Sequence, residues 1–131
     1  MDRMLDPEGS RERLEAWKGR IDQLAADTKA MSDQLEGLRV TLSDAGGVVK
    51  VTVDSTGNLL DLSLTDRIKR LSPDVVSRTV METIREAKRR VAERSTEIIE
   101  TTLGTESPAA RAIAERVRDQ LSAEADPEGR E

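Results

Sequence analysis

Three short runs of alternating residues, joined by glycine turns and flanked on both sides by long charged stretches, limit this chain more than anything else in it. The run "RVTLS" is followed by "DAGG", then "VVKVTVD", then "DSTGN", then "LLDLSL". Side chains alternate faces along a strand, so Val49, Val51 and Val53 fall on one side and Val48, Lys50 and Thr52 on the other. In the third run Leu60, Leu62 and Leu64 are expected inward, with Leu59, Asp61 and Ser63 outward. Gly46 and Gly47 supply the backbone freedom of the first connection, and Gly57 is the expected left-handed residue of the second. The pattern predicts a three-stranded antiparallel meander with one apolar face and one wet face.

So small a sheet needs cover, and the flanks provide helices. Leu14, Trp17, Ile21, Leu24, Thr28, Met31, Leu35 and Leu38 recur at steps of three and four, the seam of a coiled coil. Ser10 is the expected N-cap, without a capping box because Arg13 holds the third position, and Gly37 marks the expected end. A helix from Ser10 to Leu38 is about 40 Å long, whereas a seven-residue strand spans about 23 Å. Part of the seam must therefore meet another helix, from the second helix or a second chain. That second helix starts at "LSPDVV", with Ser72 as cap and Pro73 in the first turn, carries Val76, Val80, Ile84, Ala87, Val91 and Ile98 as its stripe, and stops at Gly104. "ESPAAR" repeats the start signal, Ser107 capping and Pro108 following, for a short helix with Ile113, Ala114, Val117 and Leu121.

The expected fold class is α+β, organised as a flexible N-terminus over 1–9, a helix–meander–helix domain over 10–104, an additional helix over 105–121 and a disordered acidic tail over 122–131. With 131 residues, 36% hydrophobic content, one Trp and no Phe or Tyr, one copy cannot build a large core, so a partner chain is expected. No stretch approaches the roughly 18 apolar residues of a membrane span, and "MDRMLDPEGS" lacks the apolar region of a secretory signal; a cytoplasmic protein with no membrane partner is expected.

Enzymatic chemistry finds little support. There is no His or Cys and no Tyr, so the usual general base and the usual soft nucleophile are missing. Glu82 with Glu86, and Glu93 with Glu97, pair at helical spacing, but interleaved basic residues such as Arg90 make them a solvated surface. "DAGGVV" lacks the Lys-Ser/Thr ending of a phosphate loop and joins two strands. The Trp17–Gly19 pair resembles the Trp-x-Gly of small secreted helical hairpins, but there it occupies a turn, and here Trp17 sits inside a regular helical seam. No cofactor and no metal are expected.

Charge is distributed unevenly. The chain totals −5, yet between Arg67 and Arg94 nine basic residues stand against four acidic ones. Arg67, Lys69, Arg70, Arg78, Arg85, Lys88, Arg89, Arg90 and Arg94 are the candidate nucleic-acid contacts. Such a group neutralises phosphates one at a time. No Asn or Gln is interleaved to read bases and no aromatic residue to stack on them, so neither sequence-specific nor single-strand recognition is indicated.

The order of helix, glycine turn, meander and helix, and the stretch "AGGVVKVTVDSTGNLLDLSLTDRIKRLSPDVVSRTVMETIREAKRRV" in particular, resembles the YbaB/EbfC family of bacterial nucleoid-associated proteins over roughly Leu14 to Leu103. The resemblance implies a homodimer whose sheets pack or pair and whose helices project as arms. It also implies low-specificity binding of double-stranded DNA in the nucleoid by charged residues on those arms. The residues expected at the dimer interface are Trp17, Ile21, Leu24 and Met31 on the first helix and Val49, Val51, Leu60 and Leu62 on the sheet. The stretch "EAKRRVAERS" is more basic than the family pattern, which favours nucleic acid. The additional helix and acidic tail lie beyond the family core and leave room for a protein partner or for self-inhibition of the basic edge. A protein-interaction scaffold of the same fold is the competing reading, since fold alone does not fix function.

Overall fold

A computed structural model of the chain describes residues 7–104 and 108–125. Helix α1 (Pro7–Glu36) leads into strands β1 (Arg39–Ser43), β2 (Val49–Asp54) and β3 (Leu59–Leu64). A 3-10 turn (Asp66–Arg70), helix α2 (Pro73–Leu103) and helix α3 (Pro108–Ala125) follow. The strands form one antiparallel sheet in the order β1-β2-β3. The α+β class and the order of elements therefore stand as the sequence predicts.

Several boundaries move. Ser10 lies inside α1, which starts at Pro7 with Glu8 in its first turn, an arrangement that exploits proline's missing N–H and the positive end of the helix dipole. Helix α3 continues four residues past Leu121, to Ala125; its expected cap, Ser107, lies outside the described residues. Helix α2 begins as expected, with the Val75 N–H donating to Ser72 Oγ at 3.3 Å, and ends at Gly104 with φ of 90°. The 3-10 turn was not anticipated. Thr65 caps it by accepting from the Arg67 N–H.

The core lies between β1, β2 and α2. Val49, Val51 and Val53 are at most 1% exposed, and they pack with Leu38, Val40, Ala87 and Val91. The buried stripe of α2 is Thr83, Ala87, Val91, Ser95 and Ile99, every fourth residue; Ala87 and Val91 are on the expected stripe, Val80, Ile84 and Ile98 pack partly buried against the core, and two hydroxyls, those of Thr83 and Ser95, join it. Beyond the sheet, Met31 of α1, Ile99 of α2 and Ala114 of α3 form a second buried cluster. Met31, Val49 and Val51, expected at a dimer interface, are thus buried within one chain.

Strand β3 departs from expectation in a different way. All six of its residues are exposed. A bulge pairs Val53 with Leu59, while Val51 faces Leu62 and Val49 faces Leu64, so Leu60 is the extra residue. Directly opposed residues in an antiparallel pair share a face; Leu59, Leu62 and Leu64 therefore continue the apolar face of β2, where the sequence placed Leu60 with Leu62 and Leu64. Leu59, Leu60, Leu62 and Leu64 remain 42–50% exposed.

Candidate nucleic-acid interface

Helix α2 carries six of the nine candidate cations. At about 100° per residue, Arg78, Arg85 and Arg89 fall within about 40° of one another, on the side opposite Thr83, Ala87 and Val91. Arg90 and Arg94, four apart, share one flank; Lys88 lies on another. The cluster that reads as one edge in sequence is therefore a row of three arginines with two flanking groups.

Their local partners differ. Arg89 donates from Nε and Nη2 to Glu86 Oε2 at 3.0 and 2.7 Å, and Arg90 Nε lies 3.8 Å from Glu86 Oε1. The Arg89, Arg90 and Glu86 side chains are all roughly half exposed, and exposed pairs of this kind are worth at most about 1 kcal/mol, so a phosphate can displace the carboxylate. Arg85 is half-buried, and its Nε is buried with no hydrogen-bond partner among the described residues.

The Arg67–Arg70 group is a separate patch. Arg67 Nη1 donates to the Gly46 carbonyl at 2.7 Å, and its guanidinium lies against Gly47, whose φ is 67°. Thr65 Oγ1 donates to the Gly47 carbonyl at 2.8 Å. Arg67 thereby fastens the 3-10 turn to the β1–β2 loop, a structural task the sequence did not disclose. Lys69 is highly exposed, 3.8 Å from Asp66. Between this patch and the helical row lies the loop itself, with Asp44, Glu82 and Glu86 lining a hollow that Arg89 also borders. The structure does not merge the two basic groups.

Asp44 holds that loop rigid. Its Oδ1 accepts from the Val48 and Val49 N–H groups, both at 2.7 Å, and its Oδ2 accepts from Gly46 N–H at 3.1 Å. Burial pushes its pKa up, but the N–H donors of Val49, Val48 and Gly46 outweigh burial and hold the carboxyl below the ordinary aspartate value. Asp54 does the same in the second turn. There burial is opposed by the Thr56 hydroxyl, the Asn58 and Thr56 N–H groups and the Asn58 side chain, and the net shift is again downward.

One basic residue escaped the sequence reading. Arg118 of α3 borders a cleft of about 370 Å³ with Lys88, Arg89, Ala92, Glu93, Thr96, Leu121 and Ser122. Its proximity depends on α3 folding back along α2, which juxtaposes Ala114 with Ile99 and Leu121 with the Ala87–Val91 region. The α3 stripe of Ile113, Ala114, Val117 and Leu121 puts Arg118 beside the packed face, but nothing in the sequence says which helix that face meets.

A two-layer protein in which a long helix bearing a row of arginines spans and overshoots a small meander is the class these features define. Among solved structures, an uncharacterized protein, HP0035 from Helicobacter pylori, matches with a TM-score of 0.54 and 19% identity, over 67% of this chain and 94% of that one; at this identity the likeness speaks for the fold. A search of curated proteins gave no match. The sequence profile of the YbaB/EbfC DNA-binding family matches residues 11–106, and the chain belongs to that family of nucleoid-associated proteins. The match leaves α3 outside it. Among the described residues no helix is long and apolar enough to cross a membrane.

Proposed function

We propose that the chain works as a homodimer that binds double-stranded DNA with little sequence preference, and that it acts as a nucleoid-associated protein. The observation that carries this reading is the row of Arg78, Arg85 and Arg89 on the side of α2 away from the core stripe, flanked by Arg90 and Arg94 and carried by a member of a DNA-binding family. Each guanidinium is suited to a phosphate oxygen. The row offers no base-reading amides, which supports contact with the backbone alone. Lys69 and Arg70 are a second, weaker patch; Arg67 is assigned to the loop instead.

Dimerisation is supported by what one chain leaves in water. Leu14, Trp17, Ile21 and Leu24 on α1 are 44–63% exposed, and four leucines of β3 are similarly open. Contiguous apolar surface of this kind marks an interface, and β3 is also an edge strand with unpaired backbone groups. Trp17, Ile21, Leu24, Leu60 and Leu62 are the interface residues we assign.

The test is fluorescence anisotropy of a labelled random-sequence duplex of about 30 base pairs at two salt concentrations, with each lost phosphate contact flattening the salt slope by about 0.9. Saturable binding that weakens steeply with salt supports the reading. No binding at low salt would turn the search to a protein ligand, for which the net charge of −5 and the helix outside the family match are the motives.

A further inference from the structure

The arginine row of α2 runs out of cations after Arg89. At about 100° per residue, Ala92, Glu93 and Thr96 lie within about 60° of Arg89 and continue the line of Arg78 and Arg85, whereas Arg90 and Arg94 turn away from it. One carboxylate and two small neutral side chains therefore stand where the next guanidinium would be. Helix α3 supplies what α2 lacks there. Arg118 borders one hollow of about 370 Å³ together with Lys88 and Arg89 and with Ala92, Glu93 and Thr96. Arg118 is exposed, and among the described residues it makes no hydrogen bond or ion pair, although Glu93 shares its lining. Arg89 is held by an exposed pair with Glu86, which a phosphate displaces. Three cations from two helices thus stand against one carboxylate, in a hollow whose wall includes the apolar Leu121, 2% exposed. A concave surface of one sign with low-dielectric walls concentrates its field and draws anions.

We propose that the α2–α3 hollow is a phosphate site, and that Arg118, from outside the family match, extends the arginine row across two helices as a contact to the DNA backbone. The second half of this statement rests on the DNA-binding reading above; the first does not. Arg78 to Arg89 spans about 16 Å of helix, and the hollow carries the line on to Thr96, about 27 Å from Arg78. At 3.4 Å per nucleotide of one strand, the phosphates within reach grow from about five to about eight. A guanidinium without an internal partner gives up no contact when a phosphate arrives, and its planar fork fits two oxygens at once. Arg89, by comparison, must first release Glu86. No base edge is addressed, so the contact adds affinity for every sequence alike.

Arg118→Gln tests it, with Arg116→Gln as the control. Both remove one charge from an exposed position of α3, but Arg116 lies about 160° around the helix from Arg118. The first measurement uses no DNA. Pyrophosphate titrated into the native protein is expected to shift the backbone amides of Lys88, Arg89, Ala92 and Ser122 saturably; Arg116→Gln keeps this response and Arg118→Gln loses it. A native protein without a localised response, or a response that survives in Arg118→Gln, overturns the phosphate site. The second measurement is duplex binding, where Arg118→Gln is expected to flatten the salt slope by about 0.9 and to weaken low-salt affinity about three- to tenfold for unrelated sequences alike, with Arg116→Gln close to native. A native slope in Arg118→Gln, or equal losses in both variants, overturns the DNA contact and leaves the reading of the α2 row in place. If pyrophosphate binds and no form binds duplex, the DNA reading falls together with the second half of the proposal, and the phosphate site stands alone.

Discussion

Replacing Ser95 with alanine is expected to stabilise the protein. Ser95 is fully buried on the inner stripe of α2, and its Oγ has no hydrogen-bond partner among the described residues. A buried hydroxyl left unpaired costs about 1–3 kcal/mol, and alanine is the better helix former by roughly 0.5 kcal/mol. The loss of contacts made by one oxygen offsets part of this, leaving a gain of about 1–2 kcal/mol. With a urea m-value of about 2 kcal/mol/M, the unfolding midpoint should rise by about 0.5–1 M at unchanged m. Protein concentration must be held fixed, because under the proposed dimerisation apparent stability depends on it. Ser95→Thr is the control: an added methyl in a fully occupied site should cost about 1–3 kcal/mol. A neutral or destabilising Ser95→Ala would refute the reasoning and show that the hydroxyl has a partner. If the loss also grew as protein is diluted, that partner would belong to a second chain.

Three further outcomes follow from the geometry. Asp44 and Asp54 have depressed pKa values, so the stability they contribute is fully present above the unfolded value of about 3.9 and is lost as pH falls through their lower folded values. Asp44→Asn, which keeps one acceptor oxygen of two, should cost about 1–2 kcal/mol at neutral pH and flatten this acid limb in denaturant titrations; an unchanged acid limb would remove Asp44 from the account. Leu24→Asp and Leu62→Asp, both at sites exposed in one chain, should leave the circular dichroism spectrum intact while light scattering reports a monomer; a persistent dimer would move the interface elsewhere. Combined Arg78→Ala, Arg85→Ala and Arg89→Ala should reduce the salt slope of duplex binding by about 0.9 per lost contact, roughly equally for all sequences, and an unaltered slope would dismiss the row.

Local patterns carried most of the fold into the sequence. The caps at Ser72 and Gly104, the glycine turns and the period-two runs each act over a few residues, so α2, β1 and β3 have the bounds their sequences announce. Ser10 is a good cap in isolation, yet Pro7 opens the helix a turn earlier. The charge of the 67–94 region was equally legible, since a count of basic residues needs no coordinates.

What tertiary structure alone decided is the use made of those residues. Periodicity marks Leu62 and Leu64 as apolar-facing but cannot say that α2 packs over β1 and β2 and leaves β3 open; that depends on where a long helix crosses a sheet. The bulge at Leu60, which returns Leu59 to the apolar face, arises from pairing between strands. Arg67 and Arg89 look alike in sequence, yet one ties a loop through the Gly46 carbonyl and the other lies on an exposed helix face. Met31 and Leu24 share a heptad seam, yet Met31 is covered by α2 and α3 and Leu24 is not. In each case composition set the chemistry available and the packing of distant segments set its exposure, because burial is a property of neighbours that sequence spacing does not name.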